Sequence, residues 1–208
     1  MPVMRPLTSS TARASLLPGD NPTPGPGPSD NFTAVEYYEG FEDQSTYSSL
    51  YNVDADGDGN SWGILDITGY EQYGYDGTKV AYSRSYDNNA GPLTPDNLLI
   101  TPEITLEQGE RWLRFFTCSN DGTYYAEHLG VYVIVGEGTW DEFEDVDDIL
   151  DAMEFVGEFT MENELLTEHL YDLSDYSGQT VRIVIRHFNC SDEWLVFLDG
   201  IGVGTLAD

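Results

Sequence analysis

Apolar residues recur at every second position in several short stretches of this 208-residue chain. Two stretches, "EHLGVYVIVG" and "VRIVIRHF", place these residues in alternation: Leu129, Val131, Val133 and Val135 in the first, and Val181, Ile183, Ile185 and His187 in the second. Alternate side chains of an extended strand point to the same face, so each stretch predicts a strand with one buried side. The segments "RWLRFFTC" and "TKVAYSRSY" repeat the pattern. We therefore expect mainly half-buried strands.

Turn-forming sequences separate these strands, namely "DNNAGP" at 87–92, "SNDG" at 119–122 and "DYSGQ" at 175–179. The one helical candidate is "WDEFEDVDDILDAM", residues 140–153, whose apolar positions fall near helical spacing behind an acidic first turn. One short helix among many strands predicts an all-β fold, an antiparallel β-sandwich with one short helical insertion.

The front of the chain has a different composition. Residues 17–30 read "LPGDNPTPGPGPSD", which is proline and glycine with small polar residues and cannot bury enough apolar area to offset its ordering entropy. Residues 1–33 are predicted to be a disordered tail and linker, and residues 34–208 the folded domain. The beginning lacks a secretory h-region, so we expect any export signal to lie outside this sequence.

The charge of the chain limits its partners. Lys and Arg number 8 against 38 Asp and Glu, a formal net charge of −30. Such a chain repels phosphate backbones and anionic headgroups, which argues against nucleic acid and acidic membranes as partners. No apolar run approaches the ~20 residues that span a bilayer, so direct membrane insertion is not expected. The excess of carboxylates favours bound hard cations such as calcium.

One acidic stretch, "YNVDADGDGNSWG" at 51–63, predicts a calcium site. Its candidate ligands are Asp54, Asp56, Asp58 and Asn60. The aspartates match the first half of an EF-hand loop, in which alternate side chains converge on calcium and a glycine permits the turn. The second half does not match, because Leu65 stands where the EF-hand has a bidentate glutamate. The remaining ligands must come from elsewhere, and a solvated Asp-Gly turn is the open alternative.

Five stretches in order carry a family resemblance: "EYYEGFED", "DADGDGNSW", "PDNLLITPEITL", "AEHLGVYV" and "VRIVIRHFNCSDEWLVFLDGIGV". Together they resemble the cleaved adhesin domain family of haemagglutinins and of the adhesin regions of secreted bacterial proteases, and they are similar to the broader MAM-like, anchor-associated β-sandwich domains. The resemblance covers about residues 34–203. It implies a jelly-roll sandwich with structural calcium, secreted or displayed on the cell surface as part of a larger multi-module protein. Attachment to host or matrix proteins or glycans is the function it implies.

The resemblance also supplies candidates for the missing calcium ligands. These are Glu42, Asp96, Asn97 and Asp199. Asp199 has separate support, because it shares strand parity with Leu195 and Phe197, and an inward-facing carboxylate is costly unless it is paired or coordinated. For each residue alone, a capping or turn carboxylate is the alternative. The acidic segment 137–168 matches the family poorly.

The cysteines and histidines do not have the spacing of a zinc site. No Cys-x-x-Cys or His-x-x-x-His pair occurs, so nothing local preorganises tetrahedral ligands. In an exported chain, a disulfide between Cys118 and Cys190 would close a long loop and contribute about 4 kcal/mol if unstrained. Free buried thiols are the alternative. His128 and His187 are expected to be sheet histidines with satisfied hydrogen bonds.

The sequence has neither the His-Glu-x-x-His motif of zinc proteases nor a phosphate-binding glycine loop. Carboxylate pairs arise by chance in so acidic a chain. We therefore expect a binding module and no catalysis. Four tyrosines near turns, Tyr73, Tyr75, Tyr124 and Tyr125, are predicted to stack on a ligand such as a sugar ring. The alternative for these tyrosines is that they cover the edges of the sandwich. The alternative for the whole chain is a carbohydrate-binding module of a secreted glycan-degrading system.

Overall fold

A computed structural model describes residues 5–6, 32–138 and 143–207, and they form an antiparallel jelly-roll β-sandwich, as the sequence predicts. The seven-stranded sheet contains β1 (Arg5–Pro6), β3 (Tyr51–Asp54), β8 (Asp96–Ile100), β9 (Ile104–Thr105), β11 (His128–Val135), β12 (Glu154–Thr160) and β14 (Thr180–Phe188). Its order is β1-β3-β8-β14-β11-β12, and β9 also pairs with β14. Strands that are distant in sequence therefore lie side by side.

The six-stranded sheet is centred on the longest strand. It contains β2 (Phe32–Glu39), β4 (Gly63–Asp66), β5 (Lys79–Arg84), β10 (Trp112–Cys118), β13 (Thr167–Asp172) and β15 (Leu195–Leu206). Its order is β13-β10-β15-β5-β4, and β2 pairs with the second half of β15. A small ribbon joins β6 (Tyr86–Asp87) to β7 (Gly91–Pro92), and the helices are α1 (Gln44–Tyr47) and α2 (Val146–Ala152), with 3-10 turns at Glu71–Tyr73 and Ser174–Tyr176.

The main core lies between the two sheets and follows the alternation in the sequence. The alternate residues of β11 and β14 that face it are Leu129, Val131, Val133, Val181, Ile183 and Ile185, and all are buried. Val196 and Leu198 of β15 meet them from the other sheet. Each such side chain stabilises the fold by about 1.5–3 kcal/mol on burial. Val135 was predicted with this face, but it ends β11 and is 37% exposed.

Further apolar clusters cover the outer faces of the sandwich. The predicted helix is confirmed over Val146–Ala152, and the Asp145 side chain caps it by accepting a hydrogen bond from the Asp148 N–H. Its buried Ile149 packs with Leu98 against the seven-stranded sheet. On the opposite side, the turn Glu71–Tyr73 covers the six-stranded sheet, where Tyr73 packs beside buried apolar residues. Both sheets are thus apolar on two faces along part of their length.

Strand β2 begins at Phe32, and the division into a tail over residues 1–33 and a domain over residues 34–208 stays a prediction. Within the predicted tail, Arg5–Pro6 pairs with β3. The rest of the tail lies outside the described residues, apart from the start of β2. Among the residues that the structure describes, no helix is long and apolar enough to cross a membrane.

Candidate functional site

The aspartate loop, residues 54–60, is closed by a buried asparagine. Asn52 on β3 donates from Nδ2 to the Trp62 carbonyl at 2.6 Å and accepts from the Trp62 N–H at 3.2 Å. The Trp62 indole N–H in turn donates to the Asn97 carbonyl on β8 at 3.0 Å. These bonds hold both ends of the loop on the sheet. The chain must therefore reverse its direction within the acidic residues between them.

Three carboxylates meet in this loop. Ligand atoms of Asp54, Asp56 and Asp58 all lie within 4.8 Å of one another. The two Asp54 oxygens accept hydrogen bonds from the Gly57 and Gly59 N–H groups at 2.8 and 2.9 Å. Both glycines have positive φ, 73° and 87°, a conformation that other residues adopt at a cost. The sequence thus predicted correctly which aspartates converge.

The electrostatics of the aspartate loop fit a hard cation. Burial, a hydrogen bond with Asp54 and the charge of Asp58 raise the pKa of Asp56 to about 7. A divalent cation would relieve this repulsion, and carboxylate oxygens are its preferred ligands. Asn60 adjoins the group by donating from its backbone N–H and Nδ2 to the Asp58 carboxylate. Loop carbonyls and water would have to complete a shell of 6–8 oxygens.

The structure does not bring the β8 candidates into this group. The Asp96 carboxylate forms a bidentate pair with the Arg186 guanidinium, at 2.7 Å from Nε and 2.6 Å from Nη2. Asn97 lies opposite Asp54 in the strand register, but its Nδ2 donates to Ser83 Oγ at 3.2 Å. Neighbouring position on the sheet was predicted well, whereas side-chain direction was not.

The other two candidates are not part of the aspartate group either: Glu42 lies in the connection between β2 and α1, and Asp199 lies on β15 of the six-stranded sheet. The Glu42 carboxylate accepts from the backbone N–H groups of Thr78 and Lys79 at 2.7 and 2.5 Å. Asp199 Oδ2 accepts from the N–H groups of Tyr75 and Asp76 at 2.6 and 2.9 Å. Burial raises the pKa of Asp199 to about 8. The prediction that these residues complete the aspartate-loop shell is wrong in this structure.

Asp199 shares a face of β15 with Leu195 and Phe197, as predicted, but this face is the outer one and not the one that meets the sandwich core. Leu195 and Phe197 share its side of β15, and they belong to the outer cluster under the turn Glu71–Tyr73. The residues between them, Val196 and Leu198, face the sandwich core. Asp199 is therefore buried beneath a loop and satisfied by backbone N–H groups.

The four predicted ligand tyrosines occupy different environments. Tyr75 is buried and stacks on Phe116 with ring centroids 3.7 Å apart. Tyr73 is half-buried and packs over Phe197 at 5.9 Å. Burial of Tyr75 contradicts its prediction as a ligand contact, whereas for the half-buried Tyr73 ligand contact stays a prediction. Tyr125 is half-buried, whereas Tyr124 is 52% exposed.

Tyr124 borders an aromatic cleft that the sequence did not reveal. The cleft encloses about 410 Å³ and is lined by Tyr86, Asp121, Tyr124, Asp192, Glu193 and Trp194. The Tyr86 and Trp194 rings lie 6.0 Å apart at 36°. They meet because the Ser85 N–H donates to the Trp194 carbonyl at 3.3 Å, where β5 and β15 run together. Aromatic faces and carboxylates therefore border one concave surface.

Both cysteines are free, so the predicted disulfide is wrong. Cys118 ends β10 in the six-stranded sheet, and its thiol donates to the Tyr73 carbonyl at 3.2 Å. Cys190 follows β14 in the other sheet, and its thiol contacts Glu127 Oε2 at 3.2 Å. Burial raises the pKa of both thiols, which disfavours the thiolate. The alternative of free buried thiols describes Cys118 well.

A second group of ligating side chains, here called the Glu127 cluster, consists of Glu127, His187 and Cys190. His187 Nε2 lies 2.9 Å from Glu127 Oε2 and 3.2 Å from Cys190 Sγ. His187 Nδ1 bonds to Ser83 Oγ at 2.7 Å, and Ser85 Oγ donates to Glu127 Oε1 at 2.9 Å. His187 is thus a satisfied sheet histidine, as predicted. Its spacing from Cys190, three residues along the chain, was the one local signal for the cluster.

Comparison with known proteins gives a consistent family. The profile described as Cleaved Adhesin Domain matches residues 34–203. Hemagglutinin A of Porphyromonas gingivalis strain W83 is 29% identical over 207 residues, which is 97% of this chain and 9% of that protein. Lys-gingipain W83 of the same species is 30% identical over 159 residues, 74% of this chain and 9% of that protein. The chain thus spans about a tenth of the length of these relatives.

Solved structures agree with the sequence comparison. The K1 cleaved adhesin domain of Lys-gingipain from P. gingivalis W83 superposes with a TM-score of 0.65 at 27% identity, covering 81% of this chain and 97% of that domain. The K3 domain of the same protein gives a TM-score of 0.62 at 26% identity, covering 82% and 97%. The fold is therefore that of single modules that recur within one larger protein.

Proposed function

The chain belongs to the cleaved adhesin domain family, and from this premise we propose that it is a secreted or surface-displayed adhesion module that attaches to host or matrix proteins or glycans without catalysis. Its relatives named haemagglutinin and gingipain are about ten times longer than the aligned region. This favours a role as one module of a larger surface protein.

The observation that carries the proposal is the aromatic cleft. Two aromatic side chains, Tyr86 and Trp194, line it, and the exposed ring of Tyr124 extends its wall. Its volume of about 410 Å³ falls within the range of small-molecule and oligosaccharide sites. Ring faces stack on the apolar faces of sugars, and carboxylates such as Asp192 accept bonds from hydroxyl groups. We therefore favour a glycan ligand at this cleft.

A specific observation also favours the alternative of a protein ligand. Leu165, Leu166 and Leu170 are 63%, 37% and 44% exposed around the connection between β12 and β13. Exposed apolar side chains that are close in sequence are typical of protein-binding surfaces. A carbohydrate-binding module of a secreted glycan-degrading system is the further alternative, and it differs in binding a polysaccharide substrate instead of host glycans.

Calcium is proposed as the structural ion of the aspartate loop. The convergence of Asp54, Asp56 and Asp58 within 4.8 Å supports it, together with the raised pKa of Asp56. The net charge of −30 adds to this, because a bound divalent cation reduces self-repulsion throughout the domain. The ion would fix a loop at one end of the sandwich.

A glycan array and a panel of immobilised matrix proteins, each probed with and without calcium, test the proposal. We expect the wild-type chain to bind a set of related glycans and Tyr124→Ala to lose most of that signal. The matched control is Phe155→Ala, since Phe155 is 60% exposed but does not line the cleft. Loss of protein binding with Leu170→Ala instead would select the protein ligand. Hydrolysis of any bound glycan or protein by the pure chain would contradict the proposal.

A further inference from the structure

The Glu127 cluster joins three kinds of metal-binding atom from three places in the chain. Glu127 precedes β11, His187 lies near the end of β14, and Cys190 follows in the next loop. Glu127 and His187 side chains have no exposed surface, and Cys190 is partly exposed. The three ligand atoms are separated by 2.9, 3.2 and 3.2 Å. Core packing alone does not require so compact a group of carboxylate, imidazole and thiol.

The cluster is held together by protons that a divalent cation can replace. A proton must lie between His187 Nε2 and Glu127 Oε2 at 2.9 Å, and the Cys190 thiol donates its proton to the same carboxylate oxygen. With His187 protonated at Nδ1, where it would donate to Ser83 Oγ, a 2+ ion that displaces these two protons to solvent leaves a neutral imidazole, a carboxylate and a thiolate, and the net charge of the buried group is unchanged. The large cost of placing a charge in the interior is thereby avoided.

The geometry suits a tetrahedral ion of borderline softness. Bonds of about 2.0–2.3 Å to N, O and S ligands give tetrahedral edges of about 3.3–3.5 Å, only a few tenths of an ångström longer than the separations seen here. Thiolate and imidazole favour zinc-like ions over calcium and magnesium, which prefer oxygen. We propose that Glu127, His187 and Cys190 bind a zinc-class divalent cation, with solvent as the fourth ligand on the side of Cys190.

Hydrogen bonds around the cluster orient its ligands. Ser83 Oγ bonds to His187 Nδ1, the ring nitrogen that does not face the cluster, at 2.7 Å, and Asn97 Nδ2 donates to Ser83 Oγ. Ser85 Oγ donates to the second oxygen of Glu127 at 2.9 Å. Partners of this kind fix the tautomer and direction of metal ligands. The site is therefore preorganised by residues of β5 and β8 that touch no metal themselves.

Metal binding at Cys190 also bears on the neighbouring loop, residues 189–194. Asn189 and Asp192 in this loop have positive φ, 59° and 60°, an uncommon conformation for residues other than glycine. The same loop ends in Glu193 and Trp194 of the aromatic cleft. An ion that ties Cys190 to the sheet would hold this conformation, and that consequence does not depend on which ligand the cleft binds.

Cobalt(II) and zinc titrations of the full chain test the site. We expect one Co²⁺ per chain with a thiolate-to-metal charge-transfer band in the near ultraviolet, which zinc displaces. Cys190→Ser should abolish the band and weaken zinc binding by more than ~100-fold, and Ser83→Ala should weaken it by ~10–100-fold. Hydrogen exchange of residues 189–194 should slow when zinc is added to the wild-type chain.

Three matched variants separate this site from other metal-binding groups. Cys118→Ser keeps a donor for the Tyr73 carbonyl and should leave the charge-transfer band unchanged, as should His128→Gln. Asp56→Asn removes an aspartate-loop carboxylate and should also leave it unchanged. Absence of a thiolate band in folded wild-type protein, or equal zinc affinity of wild type and Cys190→Ser, would overturn the proposal and leave the cluster as a hydrogen-bonded part of the core.

Discussion

The aspartate loop and the Glu127 cluster gather ionisable groups in opposite ways. In the loop, three like-charged carboxylates lie at the surface: Asp54 is partly exposed, and Asp56 and Asp58 are exposed. In the cluster, one carboxylate shares protons with an imidazole and a thiol, and Glu127 and His187 are fully buried. A bound cation would lower the repulsion within the loop, whereas hydrogen bonds already satisfy the carboxylate of the cluster.

The comparison shows what burial demands of a polar group. Solvent screens the repulsion of the exposed aspartates, so the chain tolerates them without any ion. No such screening exists at Glu127, so each of its oxygens must have a donor, and Ser85 and His187 supply them. Loss of one partner should therefore be costly in the cluster and mild in the loop.

The largest expected effect is that of Glu127→Ala. It leaves His187 and Ser85 without their partner in the interior, and removal of one member of a buried pair costs about 3–5 kcal/mol. Urea unfolding in the presence of a chelator measures the loss. The control is Glu158→Ala, because Glu158 is 50% exposed and pairs with His128 at 3.6 Å, and surface pairs contribute about 1 kcal/mol or less. Equal losses in the two variants would contradict the comparison.

Calcium should produce the next largest effect. At ~100 times its dissociation constant, an ion that binds only the native state adds about 2.7 kcal/mol to the free energy of unfolding. Asp56→Ala should abolish this gain, and Asp151→Ala, at an exposed position of α2, should preserve it. In chelator, Asp56→Asn should be as stable as wild type or more so, because a repelling charge is gone. Superimposable melting curves with calcium and with chelator would show that the loop is only a turn and binds no calcium.

A histidine that forms no ion pair among the described residues sharpens the contrast with His187. His169 stacks on Phe159 with centroids 3.9 Å apart, and burial lowers its pKa from 6.5 to about 4. Between these two pKa values the unfolded chain binds a proton that the native protein does not. The part of the free energy of unfolding that depends on neutral His169 is therefore present above pH 6.5 and is lost as the pH falls towards 4. The loss amounts to about 3 kcal/mol.

His169→Phe should remove that part of the pH dependence, measured by urea unfolding at several pH values. His128→Gln is the comparison, since the side chain of His128 is 15% exposed and bonds to Thr160. The same slope of stability against pH for wild type and His169→Phe would show that His169 is not buried as a neutral ring.

The smallest effect concerns the thiols. Denatured, unreduced protein should contain two reactive thiols, and reductant should leave the melting temperature unchanged. In the native protein Cys190 should react before Cys118, which is only 1% exposed. Cys118→Ser assigns the reactive position. If protein made under oxidising conditions shows no thiol until it is reduced, the two cysteines form a disulfide after all.

The fold could be predicted from the sequence because alternation reports burial directly. The buried faces of β11 and β14 follow the sequence pattern residue by residue. Alternation shows only which residues share a face of a strand. Because β15 is buried on both faces, alternation does not show which of its faces meets the core between the sheets. Asp199 therefore had the predicted neighbours but lies under the loop that carries Tyr75, on the outer side of the sheet.

The two clusters were not equally visible in the sequence. The aspartate loop is contiguous, so its members are read from one short stretch. The Glu127 cluster depends on the pairing of β11 with β14, which sets Leu129 opposite His187 and so brings Glu127 close by. No spacing rule covers a separation of 60 positions in the sequence. The aromatic cleft was missed for the same reason, because Tyr86 and Trp194 are joined only by the folded sheet.

The dissociation constant for the strongest glycan on the array, measured for wild type and Trp194→Ala, tests most directly whether this chain binds through its aromatic cleft. Loss of a ring that stacks on the ligand should remove at least ~1.4 kcal/mol, which is a tenfold rise in the dissociation constant. Phe155→Ala should leave the constant unchanged, since that ring is exposed on β12 and does not line the cleft. Equal affinity of Trp194→Ala and wild type, with both proteins folded, would contradict the account.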